Sequence, residues 1–254
     1  MGEPTIYKPS IYKGNGIYKN GADGGGGGGF EPVPNNIELH LYFEKLAGTN
    51  FHGPSINASL YDFEINNNNK IITDFEPKFD GAHEMMYVIQ FQTSGSTNIE
   101  CSIRDVTNYG RFEIYFRKIG TYPNYYDRPI KDIQVSTSDY TYFNRLIHVE
   151  ITKDNYIFGE YSGTYDNPNK GTNQKVNLLA YNNIQQNFGH GTKFYPIRIY
   201  DENDNLLEVL YPAYKKDTGD KGFYSFALQQ FFYNYVNTSK DNIGLGPVVP
   251  YFVP

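Results

Sequence analysis

Residues Lys193–Asn234 read KFYPIRIYDENDNLLEVLYPAYKKDTGDKGFYSFALQQFFYN. Apolar and polar side chains alternate here with a period of two, the pattern of strands with unlike faces. In the first half Tyr195, Ile197 and Ile199 are predicted on one face, with Pro196, Arg198 and Tyr200 on the other. In the second, Leu207, Val209 and Tyr211 alternate with Leu206, Glu208 and Leu210. Between them, Asp201-Glu202-Asn203-Asp204-Asn205 supplies side chains that bond nearby backbone and tolerate left-handed dihedrals, so a hairpin turn is expected. A calcium loop on Asp201, Asn203 and Asn205 is the sharper reading, but it lacks the twelfth-position Glu of an EF-hand and the plain turn is preferred. The aromatic segment Phe226–Val236 fits either a short helix or a closing strand.

The same alternation recurs upstream. Leu39, Leu41 and Phe43 alternate with His40, Tyr42 and Glu44, and Ser59, Tyr61, Phe63 and Ile65 with Leu60, Asp62 and Glu64. Further strands are predicted around Tyr87–Phe91, Ile99–Ile103, Phe112–Phe116 and Ile147–Ile151. Many short strands separated by Gly, Pro and Asn turns predict an all-β fold, a two-sheet antiparallel jelly-roll sandwich.

Composition agrees. The chain has 254 residues with 25 Tyr, 18 Phe and no Trp. This length allows one sizeable core, and such aromatics, with Ile and Thr, suit pleated, half-buried surfaces. The net charge is −6 with basic residues scattered, so the broad basic footprint of a nucleic-acid binder is missing. The one cysteine, Cys101, leaves no partner for an intrachain disulfide or a multi-Cys metal cluster. Its place in an alternating strand predicts a buried thiol. No apolar run is long enough for a transmembrane helix, so no membrane insertion is expected. MGEPTIYKPS has neither the basic nor the apolar region of a secretory signal, and Ile6 stands where a myristoylation start needs Ser or Thr. A protein made in the cytosol is expected.

The first residues follow different rules. Ile-Tyr-Lys recurs as Ile6, Tyr7, Lys8, as Ile11, Tyr12, Lys13 and as Ile17, Tyr18, Lys19. Pro9-Ser10 and Gly14-Asn15-Gly16 between the copies interrupt regular structure. A segment this polar cannot bury enough surface to offset an ordering cost of ~1–2 kcal/mol per residue. Residues 1–23 are therefore predicted to be an extended arm that orders on another protein; the plainer reading is packing along its own domain. Gly24 to Gly29 begin a flexible Gly/Pro linker, residues 24–36, without the Lys and Ser/Thr of a phosphate-binding loop. Residues 37–240 are the predicted sandwich, with extra strands over 37–70. Residues 241–254 form an apolar, Pro-rich tail expected along the sandwich edge or on a neighbouring subunit.

Four segments, Phe79–Thr93, His148–Tyr161, Val176–Asn182 and Lys193–Tyr233, follow one another in an order with a known counterpart. The chain over roughly residues 71–236 resembles the laminin-G/concanavalin-A-like jelly-roll domains of bacteriophage structural proteins and of gut-bacterial surface proteins. The resemblance rests on element order; the segment 37–65 and the long Gly120–Asp139 connection depart from the pattern. The arm with its linker is similar to N-terminal anchoring segments of phage head or tail fibres. These resemblances imply a non-enzymatic virion component, made in the host cytoplasm and docked through its arm on a capsid or tail protein. They imply a homo-oligomer, a trimer by family analogy. The alternative is a carbohydrate-binding adhesin module of a gut bacterium.

Chemistry-bearing motifs are sparse. Polysaccharide hydrolases on this fold carry paired carboxylates on one strand, whereas Glu150 is followed by Thr152 at the second position. The five histidines show no metal-ligand spacing, there is no nucleophile elbow, and no cofactor or metal is expected. His148 is read as an outward-facing or hydrogen-bonded strand residue. The loop residues Tyr122, Asn124, Tyr125, Tyr126, Asp127 and Arg128 combine stacking surfaces with hydrogen-bonding groups and are the candidate glycan contacts. Packing against a neighbouring subunit or the sandwich rim is the plainer use of the same aromatics.

Overall fold

The computed structural model describes residues 32–46, 55–57, 69–78, 85–93, 98–106, 111–119, 128–136, 145–152, 154–164, 173–178, 191–233 and 243–249. The described chain is all-β: every strand pairing is antiparallel, and no helix occurs among the described residues. Two sheets are formed.

The smaller sheet has the order β3-β12-β5-β6-β7-β8. Its strands are β3 (Ser55–Asn57), β5 (Met85–Thr93), β6 (Asn98–Val106), β7 (Arg111–Ile119), β8 (Arg128–Ser136) and β12 (Asn173–Leu178). Cys101 lies in register with Ile89 and Phe116. Half of the stretch expected as one long connection, Gly120–Asp139, is therefore strand β8. Pro129 and the uneven alternation of Ile130, Ile133 and Val135 hid it, and the ladder accommodates both through a register shift at Phe116/Arg117.

The larger sheet is organised around the opening hairpin, β13 (Lys193–Tyr200) and β14 (Leu206–Lys215). Its turn is held as its residue types require. Asp201 Oδ1 accepts the Asn203 and Asn205 amides, both at 2.8 Å, and Asp204 adopts φ 65°. Those bonds, the Asn205 side chain foremost, hold the Asp201 carboxyl below its ordinary value.

At its open end the hairpin forks. Pairing of β13 with β14 stops at Ile197↔Leu210, next to Pro196 and Pro212, which have no N–H to donate. The segment holding β1 (Ile37–His40) and β2 (Phe43–Lys45) fills the fork: β1 pairs with β14 and β2 with the start of β13. Along its outer edge run β17 (Ile243–Leu245) and β18 (Val248–Val249). Leu41 N–H to Pro247 O at 2.9 Å and Gly246 N–H to Tyr42 O at 3.0 Å join the two short ladders into one ribbon. Gly246 is required there, since a Cβ would stand 2.9 Å from the Tyr42 ring. Beyond β13 come β4 (Lys70–Glu76), β9 (Ile147–Ile151), β10 (Asn155–Phe158) and β11 (Tyr161–Thr164). Beyond β14 come β15 (Asp220–Ser225) and β16 (Gln230–Tyr233). The ambiguous aromatic segment thus forms a turn and then a strand, and its ladder leaves no room at Gly222 for a Cβ, which would lie 2.1 Å from the Phe232 carbonyl oxygen.

From β10 across to β15, one side of this sheet is buried. Ile71, Phe75, Ile147, Val149, Ile151, Phe158, Phe194, Ile197, Ile199, Leu210 and Phe223 are all buried. Edge-to-face pairs Phe75–Phe158 and Phe43–Phe223 have ring centroids 5.8 and 5.4 Å apart. A fully buried side chain of this size stabilises by about 1.5–3 kcal/mol. Strand β14 is buried on both sides, because Val209, Tyr211 and Ala213 join Ile37, Leu39, Tyr224 and Phe226 in a second cluster.

Candidate binding face

Beside that second cluster, on the same side of the sheet, the strands β9, β4, β13 and β2 carry polar and aromatic side chains. The ladders that align Ile197 and Ile199 inward with Thr73 and Ile71 turn Arg198 and Tyr200 outward, level with Ile72 and Lys70. Tyr195 joins them. The alternation places it with Ile197, but the ladder shifts register between Phe194 and Ile197. This bulge at Pro196 inserts a residue and reverses the facing of everything before it. Phe194 takes the inward place, opposite Phe75. Tyr195 instead packs on Tyr42, with ring centroids 5.5 Å apart and planes tilted by 52°.

Three sets of opposite charges meet on this face. Glu76 accepts from Lys78 at 2.8 Å and from Lys193 at 3.1 Å. Burial alone would raise the Glu76 carboxyl, but the hydrogen bonds and charges of these two lysines bring it below its ordinary value. His148 Nδ1 donates to Asp74 Oδ1 at 2.9 Å. That bond holds the imidazole above its ordinary value against partial burial, and Glu150 adds to it. Lys70 pairs with Asp204. The same ammonium lies 4.8 Å from the Tyr200 ring centroid, and Lys193 lies 5.2 Å from that of Tyr42. Burial pushes the Tyr195 phenol up to about 12, with Glu76, Tyr42 and Asp74 contributing, and pushes Tyr200 up as well. These phenols stay protonated at neutral pH and can both donate and accept.

The face can therefore stack, and it can hydrogen-bond from both sides of the donor–acceptor balance. His148 is outward-facing with a side chain 47% exposed. Thr152, at the position where hydrolases of the resembled fold hold a second carboxylate, is used in a turn: its Oγ1 accepts the Asn155 amide at 3.0 Å. No cluster of His, Cys, Asp and Glu suited to a metal occurs among the described residues.

The sequence-based candidates are only partly placed. Ile6, Tyr7, Lys8, Ile11, Tyr12, Lys13, Ile17, Tyr18 and Lys19 lie outside the described residues, as do Tyr122, Asn124, Tyr125, Tyr126 and Asp127. Arg128 opens β8 in register with Lys118. The residues of the face itself were not among the candidates. The signal for them was Arg198 and Tyr200 on one face of β13, concealed by the assignment of Tyr195 to the opposite one.

Glu208 is a second residue that alternation does not reveal. It is 0% exposed, yet fully engaged: Oε1 accepts the amides of Val209 at 2.8 Å and Ala227 at 3.1 Å, and Oε2 accepts Ser225 Oγ–H. Ser225 Oγ in turn accepts the Leu228 amide at 3.0 Å. The carboxylate thus builds the β15–β16 turn from beneath; burial of the neighbouring Tyr224, with the Glu208 charge, pushes that phenol up to about 12. Its role is architectural.

Compared with protein-family models and with curated proteins, the chain matches none of either.

Proposed function

We propose that this chain is a non-enzymatic structural protein of a bacteriophage virion, a head or tail-fibre component or capsid decoration. In this reading residues 1–23 dock on a capsid or tail protein, and a jelly-roll sandwich is displayed beyond the Gly/Pro linker. The protein is made in the host cytoplasm, assembles as a homo-oligomer and presents surface for attachment to host glycans.

The observation that carries the reading is how the body receives the chain ahead of it. Asn36 is fastened to the far end of β14: Lys216 N–H donates to Asn36 O at 2.8 Å and Asn36 Nδ2 to Asp217 at 3.1 Å, while Ile37 N–H to Pro34 O at 2.9 Å closes a turn within the segment. The first and last strands among the described residues, β1 and β18, pair with each other. Segments leaving at both ends therefore start from one place, apart from the polar face of β9-β4-β13-β2. An anchor can be pulled from that end without crossing the display surface, and the fastening passes the load into the central strand of the sheet.

Deleting residues 1–23 tests this. The truncated protein is expected to keep its thermal unfolding midpoint while losing incorporation into phage particles. Normal incorporation of the truncated protein overturns the reading.

A further inference from the structure

We infer that the outer face of β9-β4-β13-β2 is a binding site for a short, uncharged oligosaccharide. The inference rests on the reading of the body as a non-catalytic display module. It assigns the binding to this sheet face and not to the Tyr122–Arg128 loop.

Shape comes first. From Tyr195 to Tyr200 the face runs five residues along β13, roughly 16 Å at ~3.3 Å per residue. The Tyr42–Tyr195 pair stands at one end and Tyr200 at the other. Between them lies Arg198, level with Ile72 and Glu150 on the adjoining strands, while Asp74 and His148 stand beside the Tyr195 end. Aromatic surface at two ends, with Arg198 and Glu150 on either side of Ile72 between them, suits a linear chain of rings, each with apolar faces and hydroxylated edges. Tyrosine is the fitting aromatic, because one side chain offers both a stacking face and a hydrogen-bonding tip. A single sugar would leave one end unused.

Charge selects the class. An acidic polysaccharide or a nucleic acid needs a surplus of unpaired cations. Here Lys193 and Lys78 share Glu76, Lys70 faces Asp204, His148 holds Asp74, and Arg198 stands level with Glu150 across Ile72. A charged group seated there has to compete with pairing already made, so it gains little over the groups it displaces. An uncharged polyol can use the free lone pairs and protons of the paired groups without separating them. The tyrosines are pre-set as well. Cation–π contacts from Lys70 and Lys193 hold two of the rings in place, which lowers the ordering cost on binding.

The test uses the full chain. It has no tryptophan, so intrinsic emission reports tyrosine directly, and calorimetry gives an independent measure. Short neutral oligosaccharides of the gluco-, manno-, galacto- and xylo-series are titrated beside heparin and polygalacturonate. At least one neutral series is expected to bind, to be recovered uncleaved, and to change affinity by no more than about twofold between low and high salt. Tyr200→Ala and Arg198→Ala are each expected to weaken that binding about tenfold, with unfolding midpoints close to that of the parent. Three results overturn the inference: no neutral series binds; only the anionic polymers bind, and salt abolishes it; or neutral binding survives both substitutions unchanged. Both variants keep residues 1–23, so particle incorporation reads the anchoring proposal separately: either can fail while the other stands.

Discussion

Neighbouring strands β13 and β14 share one ladder, yet the same side of the sheet is wet over one and dry over the other. Over β13 it carries Tyr195, Arg198 and Tyr200, all half-buried; over β14 it carries Val209, Tyr211 and Ala213, each no more than 1% exposed. Arg198 and Val209 stand directly in register across that boundary. The side beneath is buried under both strands, and apolar apart from Glu208. The difference is therefore a matter of what lies on top, and it divides the molecule into a part that specifies the fold and a part free to recognise something. A surface that has to hold the sheet together has little latitude for ligand-directed chemistry; one that only has to remain soluble has a great deal.

The largest expected effect tests that division directly. Tyr211→Ala and Tyr200→Ala remove the same atoms from the same side of the sheet. Truncating the buried ring should cost about 3–5 kcal/mol. Truncating the half-buried one should cost about 1 kcal/mol or less, mostly its contact with Lys70. Urea unfolding of the two variants measures both. Similar losses would mean that the polar face is also a packing surface, and the comparison would collapse.

A smaller effect concerns Glu208, the carboxylate buried beneath β14. Glu208→Leu leaves the Val209 and Ala227 amides and the Ser225 hydroxyl without their acceptor. With about 1–3 kcal/mol for each unsatisfied buried group and some relief from local rearrangement, a loss of about 2–4 kcal/mol is expected. Glu208→Gln keeps an acceptor for the two amides and a donor for Ser225 Oγ, so it should lose about 1 kcal/mol. If the leucine variant is as stable as the glutamine variant, the carboxylate is not what shapes the turn.

Much of this arrangement can be read in the sequence. The Asp201–Asn205 turn and the alternation of β9, β5, β6 and β7 follow from residue type and period alone. The rest depends on non-local events. Pro196 looks like one more outward residue, and nothing local says that the ladder slips there and turns Tyr195 over. Glu208 reads as a solvent-facing member of an alternating strand; its burial depends on the turn at Ala227, which β15 brings back over it. Leu39, Leu41 and Phe43 look like one strand, but the ribbon changes partner at Leu41–Tyr42 because the hairpin forks beside Pro196 and Pro212. Strand β4 was hidden differently: no strand is predicted over Lys70–Glu76, which starts directly after the asparagine run ending at Asn69. The face that carries Tyr195, Arg198 and Tyr200 was obscured for the first of these reasons, a single inserted residue at its Tyr195 end.

The smallest effect is a pH dependence confined to the wet side. In the fold, the hydrogen bond to Asp74 raises His148 above its ordinary 6.5. A group whose folded value is raised adds stability that is fully present below the unfolded value and is lost as pH rises through the folded one. Wild type should thus exceed His148→Asn in stability at pH values under 6.5 and lose that margin progressively above it. Glu76 runs the opposite way: its lowered value adds stability above 4.5 that disappears as pH falls through the folded value. The His148–Asp74 pair is half-exposed and screened, so its margin should stay under about 1 kcal/mol, and added salt should shrink it. Paired unfolding curves of wild type and His148→Asn across this range measure it. A margin that grows with rising pH would mean that His148 is held neutral, and that the Asp74 contact orients the ring without stabilising its charge. In that case the face would offer a ligand an uncharged imidazole beside an unpaired carboxylate, and its preference would shift from neutral toward cationic groups.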